Sequence, residues 1–284
     1  MTSEAPLHGI RVTSLAINVP GPVAVAKLVA LGAQATKVEP PDGDFLARAA
    51  PAWYTSLAEG QRVIRLDLKS PEGRASFEDE LGASDVLIVS SRPSALARLG
   101  LGREELVARH PRLCVVSIVG HPSPHAERAG HDLTYQAEAG LVAPPSMPVT
   151  LSSDLAAASE AVSCALALLV RRARTGDGGW REVALAECAY ALAAPLRHGL
   201  TAADGILGGG FAGYATYAAR DGTIAVAALE PHFLARLLSA LSLTAPDAAA
   251  MASAFRQHPV RHWEAVAKER DIPMVAVSAS SASS

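Results

Sequence analysis

The chain has 284 residues, half of them hydrophobic and 19% charged, a composition that excludes intrinsic disorder and provides for a sizeable core. A formal net charge of −3 and only 5% aromatic residues give no basic surface for nucleic acid or an anionic membrane and few rings on which bases could stack. The apolar run 161–170 is about half the ~20 residues needed to span a bilayer. The opening MTSEAPLHG has neither the basic nor the apolar region of a secretory signal. Cys114, Cys164 and Cys188 form no CxxC pair, so they are expected as reduced core thiols in a cytoplasmic protein.

In chain order, residues 10–17 read as a strand, Pro20-Gly21-Pro22 as a turn, 23–31 as an apolar helix closed by Gly32, and 35–38 as a second strand. Strand, helix and strand at this length imply a parallel pair with a crossover helix. The unit recurs. Strands are expected at 63–68, 85–89 and 113–119, with helices at 71–81, where Pro71 opens the first turn, and at 103–109. This predicts an α/β fold with a doubly wound, mostly parallel, Rossmann-like sheet whose ligands bind at the carboxyl ends of the strands. No GxGxxG is present, so no nicotinamide or flavin cofactor is indicated.

From Asp154 a long helix is expected to run to Arg174, with Leu155, Ala158, Val162, Leu166 and Leu169 on one face, before Thr175-Gly176-Asp177-Gly178-Gly179 breaks it. A short strand at 183–185 and a helix at 187–196 follow. Gly208-Gly209-Gly210 reads as a flexible turn, and Arg220-Asp221-Gly222 joins a hairpin of 214–219 with 223–229. A helix opens at Pro231. The division expected is a large α/β domain over 1–200 and a smaller α+β domain over 201–284, ending in a frayed Ser/Ala tail.

Three acid–base candidates adjoin apolar runs. His131 stands in Gly130-His131-Asp132-Leu133-Thr134-Tyr135. Imidazole titrates near neutrality, and the preceding glycine lets a backbone or ligand come close. The alternative is a structural histidine bonded to Asp132 at a helix start. Asp154 opens the long helix, whose dipole would hold it ionised as a nucleophile or base, or it is simply an N-cap. Glu230 ends an apolar strand before Pro231 and either orients an imidazole or caps a helix. His121 and His125 are four apart, but prolines break the helix that would aim both at a metal, so no metal site is expected. Arg92, Arg98 and Arg103 flank a strand end and are either phosphate ligands or solvated surface.

These segments, taken in order, resemble the family III CoA-transferases, which include the α-methylacyl-CoA racemases. The resemblance rests on Leu7-His8-Gly9-Ile10-Arg11-Val12 with Pro20-Gly21-Pro22, on Leu31-Gly32-Ala33 with Lys37-Val38-Glu39-Pro40, and on Leu66-Asp67-Leu68-Lys69. Arg92-Pro93, Arg98-Leu99-Gly100-Leu101-Gly102, Gly130-His131-Asp132 and Glu182-Val183 followed by Glu187 complete it. The resemblance implies an acyl-CoA substrate, no permanently bound cofactor and an interlocked homodimer. It makes Asp154 either the nucleophile of a transferase, forming an aspartyl-CoA anhydride, or one of two opposed acid–base groups of a racemase. His131 is then the second group and Glu230 its partner, from the other subunit. Arg92, Arg98, Gly130, Asp132 and Tyr135 become candidate CoA-binding residues. Backbone N–H groups at the start of the long helix would polarise the thioester carbonyl. The three acid–base residues together favour the racemase branch. Two segments depart from the family: Ala58-Glu59-Gly60-Gln61-Arg62 stands where basic residues are usual, and Ser94 follows Arg92-Pro93. Relatives also continue beyond Pro273-Met274-Val275, which adds a further expectation, a catalytically inactive binding protein.

Overall fold

A computed structural model describes residues 5–278. The expected tail lies mostly outside these residues. The chain divides into two compact units between Ala193 and Ala194. In the first, the elements run β1 (Arg11–Ser14), α1 (Pro20–Ala30), β2 (Gln34–Glu39), α2 (Leu46–Ala49), α3 (Pro51–Ala58), β3 (Gln61–Arg65), α4 (Pro71–Gly82), β4 (Val86–Val89), α5 (Pro93–Arg98), α6 (Arg103–Arg109) and β5 (Cys114–Val119). They continue with α7 (Asp132–Glu138), α8 (Ser152–Thr175), β6 (Gly179–Ala184) and α9 (Leu185–Leu192).

The six strands form one parallel sheet in the order β3-β2-β1-β4-β5-β6. This is the doubly wound, Rossmann-like arrangement expected, with the order reversing between β1 and β4. Its central strands are buried on both sides, and side chains alternate between two helical layers. Val86 and Ile88 of β4 pack with α1 and α8, while Leu87 and Val89 pack with Phe77 and Leu81 of α4, Leu96 of α5 and Leu106 of α6.

The structure revises several element boundaries. Pro20-Gly21-Pro22 is the first turn of α1, because proline at the first helical positions loses no hydrogen bond. The chain reversal falls on Asn18 and Val19 instead. β6 extends from Gly179 and pairs with β5 along its whole length, although Arg181 and Glu182 interrupt its apolar pattern. The helix expected over 187–196 breaks after Leu192.

α8 is the longest helix described, and by length and composition it could cross a membrane, contrary to the sequence expectation. Here its stripe of Ala157, Ala161, Ala165 and Leu168 is buried in the core of the first unit, with Lys27 of α1 donating to Ser159 Oγ at 2.6 Å. Small side chains, more than the larger Leu155, Val162, Leu166 and Leu169, occupy the fully buried line. Gly176 ends the helix at φ 84°, and its N–H reaches Arg172 O at 2.8 Å.

The second unit contains α10 (Ala194–Arg197), β7 (Tyr214–Ala218), β8 (Thr223–Ala227), α11 (Pro231–Ala240), α12 (Ala248–Arg256), α13 (Val260–Arg270) and β9 (Met274–Ala276). The expected hairpin β7–β8 is present, and β9 adds a third antiparallel strand. Tyr217, Ile224, Val226, Leu237, Met251, Phe255 and Trp263 form its core. The unit is therefore α+β.

Candidate active site

A cavity of about 230 Å³ opens at the carboxyl ends of β1, β4 and β5, where the strand order reverses. Asn18 lines it from the turn after β1, Arg92 from the loop after β4, and Gly130 and His131 from the long loop after β5. Tyr135 of α7 and Asp154 of α8 complete the wall. The structure thus brings together five of the residues expected from sequence: His131, Asp154, Arg92, Gly130 and Tyr135. Arg98 is exposed in the last turn of α5 and does not line the cavity. Glu230 belongs to the second unit, where it is the N-cap residue of α11 without a side-chain capping bond.

The loop that carries His131 is clamped at two points. Glu182 of β6 accepts from Ser123 N and Ser123 Oγ, both at 2.9 Å. Glu127 accepts from Ser94 N at 2.6 Å and Ser94 Oγ at 2.9 Å, tying the loop to α5. The Ser94 N–H bond, above all, holds the Glu127 carboxyl below its usual range, with Arg92 and Arg98 acting in the same direction. Ser94, a departure from the family pattern, is thereby a structural anchor. Beyond the clamps, Thr134 Oγ1 accepts from His131 N at 3.1 Å and donates to His131 O at 2.8 Å, fixing the backbone where α7 begins.

Gly130 is required for a reason other than ligand approach. A Cβ there would meet the Tyr135 ring at 2.6 Å. That ring is buried beneath the loop and meets His121 edge-on at 5.3 Å. His121 Nε2 in turn lies 3.0 Å from Glu138, which also accepts from Arg128 Nη2 at 2.6 Å. Burial, followed by the Asp154 charge, pushes the Tyr135 phenol up.

Asp132 is a buried connector. Its Oδ1 accepts from Asp154 N at 3.0 Å, and its Oδ2 accepts from Gln136 Nε2 at 2.5 Å. It caps α8 from α7, supplying an acceptor to one of the helix's first N–H groups. Expected among the CoA-binding residues, Asp132 instead has both carboxylate oxygens engaged within the chain and does not line the cavity. Of the N–H groups at the start of α8, that of Asp154 is taken by Asp132.

Asp154 is half-buried, and its carboxyl is pushed up from 3.8 to about 7, first by burial and then by the Asp132 charge. The helix N-terminus was expected to keep it ionised. Loss of solvent and a neighbouring carboxylate outweigh that dipole. A carboxyl that titrates near neutrality inside a cleft is equipped to give and take protons.

Sequence reasoning missed the support beneath Asn18. This residue sits at φ 69° with its N–H donating to Asp44 Oδ1 at 3.0 Å. Asp44 is buried, and its Oδ2 accepts from Lys37 Nζ at 2.6 Å. Lys37 also lies 2.9 Å from Glu39, which accepts from Tyr54 Oη at 2.7 Å. Burial, then the hydrogen bond to Glu39, raises the Tyr54 phenol to about 12. The motif Lys37-Val38-Glu39 was legible as a resemblance, but its ion cluster appears only once β2 and the loop after it are placed side by side. No group of three or more His, Cys, Asp or Glu suited to a metal occurs among the described residues.

Comparison with known proteins gives the family. Residues 7–282 match the family described as CoA-transferase family III. A succinate–glutarate CoA-transferase of Agrobacterium fabrum is 32% identical over 214 residues, covering 67% of this chain and 54% of that protein. The human α-methylacyl-CoA racemase is 30% identical over 261 residues, covering 85% of this chain and 66% of that protein. The chain thus spans between about half and two thirds of the length of these curated relatives. Among solved structures, a hypothetical protein of Mycobacterium tuberculosis superposes with a TM-score of 0.85 at 23% identity, covering 98% of this chain and 87% of that one. A CaiB/BaiF family protein of Brucella suis gives 0.82 at 24%, covering 98% and 85%. These two establish likeness of fold. With the family match running nearly end to end over the doubly wound sheet and its switch-point cavity, the chain belongs to CoA-transferase family III.

Proposed function

We propose that the protein binds an acyl-CoA thioester at the switch-point cavity and exchanges the hydrogen α to its carbonyl, as a 2-methylacyl-CoA racemase does. One observation carries this reading: Asp154, with its carboxyl raised to about 7, shares the cavity with His131. Removal of an α-hydrogen needs a base on one face and an acid on the other. One of the pair takes the proton, leaving an enolate, and the other returns a proton to the opposite face. Glu230 of a second copy would orient the imidazole in a homodimer. Exposed Leu196, Leu200 and Ile206 of the second unit are apolar surface that such an assembly would bury. Arg92 and Arg98 would take CoA phosphates, and replacing both with alanine should weaken acyl-CoA binding by about 2–4 kcal/mol. We assign the protein to the cytoplasm: Cys114, Cys164 and Cys188 are free thiols, and burial raises Cys188 to about 11, which keeps it unreactive.

The second reading is CoA transfer, supported by the relatives that carry that name. There the ionised Asp154 attacks the thioester carbonyl, CoA leaves as the thiolate, and an acyl–aspartyl anhydride remains. A single incubation separates the two. In deuterated water with a 2-methylacyl-CoA and no acceptor acid, exchange incorporates deuterium and scrambles the stereocentre while the thioester survives. Transfer leaves the α-hydrogen in place and yields a hydroxylamine-trappable adduct on Asp154. His131→Ala should abolish exchange from at least one enantiomer, and undiminished exchange in that variant would remove His131 from the mechanism.

A further inference from the structure

We propose that Asn18 is a catalytic residue of this site, donating a hydrogen bond from its side-chain amide to the carbonyl oxygen of the bound thioester. The inference rests on the acyl-CoA reading, but not on the choice between exchange and transfer. In either reaction that oxygen gains negative charge, as an enolate or as a tetrahedral adduct, and a fixed donor aimed at it lowers the barrier.

One donor at the start of α8 is already used. The Asp154 N–H is bonded to Asp132 Oδ1 at 3.0 Å. Arg128 on the same wall is paired with Glu138 at 2.6 Å, Ser90 Oγ accepts from Ile17 N at 3.3 Å, and Arg92 and Tyr135 also face the cavity. The Asn18 carboxamide has no hydrogen-bond partner among the described residues. It is solvent-exposed and lines the same cavity as Asp154 and His131.

The backbone beneath it is fixed. Asn18 holds a left-handed conformation, φ 69°, which asparagine tolerates better than most side chains. Its N–H is secured by Asp44, which is 2% exposed, locked by Lys37 at 2.6 Å and further bonded by Leu46 N at 2.9 Å. A buried ion pair thus anchors a turn whose outward-facing product is one neutral donor at the switch point. Strained conformations that the surroundings over-determine gather at functional sites.

Two substitutions test this without disturbing the turn. Asn18→Gly suits a positive φ and removes the carboxamide, whereas Asn18→Asp keeps the shape, loses the N–H donor and sets a negative charge opposite the oxygen. Both should unfold at the same denaturant midpoint as the parent protein. Deuterium exchange and CoA transfer are measured with a 2-methylacyl-CoA and with succinyl-CoA, alongside calorimetric binding of each thioester. The expected result is a kcat lower by on the order of 10²-fold in Asn18→Gly, and lower still in Asn18→Asp, with KM for the thioester essentially unchanged. Unaltered kcat in Asn18→Gly, or a rise in KM alone, overturns the role of Asn18 and leaves the acyl-CoA reading standing. A parent protein that neither binds nor turns over either thioester overturns that reading, and the inference falls with it.

Discussion

Asp154 links the chemistry of the cavity to the stability of the fold. Its folded value of about 7 lies above its ordinary 3.8, so between those limits the folded chain retains a proton that the unfolded chain has released. Folding stability therefore falls as pH rises through that window, and the loss is complete above about pH 7. Asp154→Asn removes the titration. At pH 8 this variant should be more stable than the parent by up to about 4 kcal/mol, from roughly three units at ~1.4 kcal/mol each. At pH 4 the two should be equal. Urea unfolding at both values checks this, and matching midpoints at pH 8 would show that the carboxyl is not destabilised by its surroundings. Asp132 can be tested in the same way. Its charge is the second cause of the Asp154 shift, so Asp132→Asn should move the Asp154 titration downward, as followed by carbon-13 NMR of the labelled carboxyl. Asp132→Ala should also cost about 1–2 kcal/mol through loss of the cap on α8. Residue types at the site were legible in the sequence: Gly130-His131-Asp132 and Asp154 stand out as chemistry-bearing positions. What each does was less legible, because Gly130 answers to the Tyr135 ring and Asp132 to a helix 22 residues further on.

Elements show a similar division between what local pattern reveals and what packing decides. Strand–helix alternation forecasts the parallel sheet, since the apolar runs at 86–89 and 114–119 have the length and branching of buried strands. β6 was underestimated because edge strands carry polar residues, here Arg181 and Glu182, and pairing with β5 supplies the stability that pattern does not reveal. In α8 the larger apolar residues mark the helix, but alanines are its fully buried apolar residues. Steric fit, to which a hydrophobic pattern is nearly blind, sets that line. Glu182 also belongs to this scale, because from β6 it holds the loop that presents His131. Glu182→Ala should cost about 1 kcal/mol and accelerate amide hydrogen exchange through residues 121–130, with the sheet amides of β5 unaffected. Unchanged exchange in that loop would mean that the Ser94–Glu127 tie alone is sufficient.

For the molecule as a whole, the two-layer logic of a doubly wound sheet was readable from the order of elements, and so was the presence of a smaller α+β body after it. β9 was not foreseen. It has three residues, Met274–Ala276, and becomes a strand only because β8 offers an edge some fifty residues earlier in the chain. The proposed homodimer belongs to this scale as well. Sedimentation velocity at micromolar concentration should give a single species of about twice the chain mass, and a persistent monomer would remove the second copy's Glu230 from the mechanism.

The core of the second unit also has an optical consequence. Trp263 is 3% exposed, its indole N–H donates to Phe255 O at 2.9 Å, and its ring meets Phe255 edge-on at 4.9 Å. Trp53 and Trp180 both lie in the first unit, and Trp53 is 36% exposed. An indole sealed among apolar groups emits at shorter wavelength than one in water. With Trp53 and Trp180 replaced by phenylalanine, the remaining fluorescence reports on one unit alone. Its red shift on heating then times the melting of residues 194–278 independently of the circular dichroism of the whole chain.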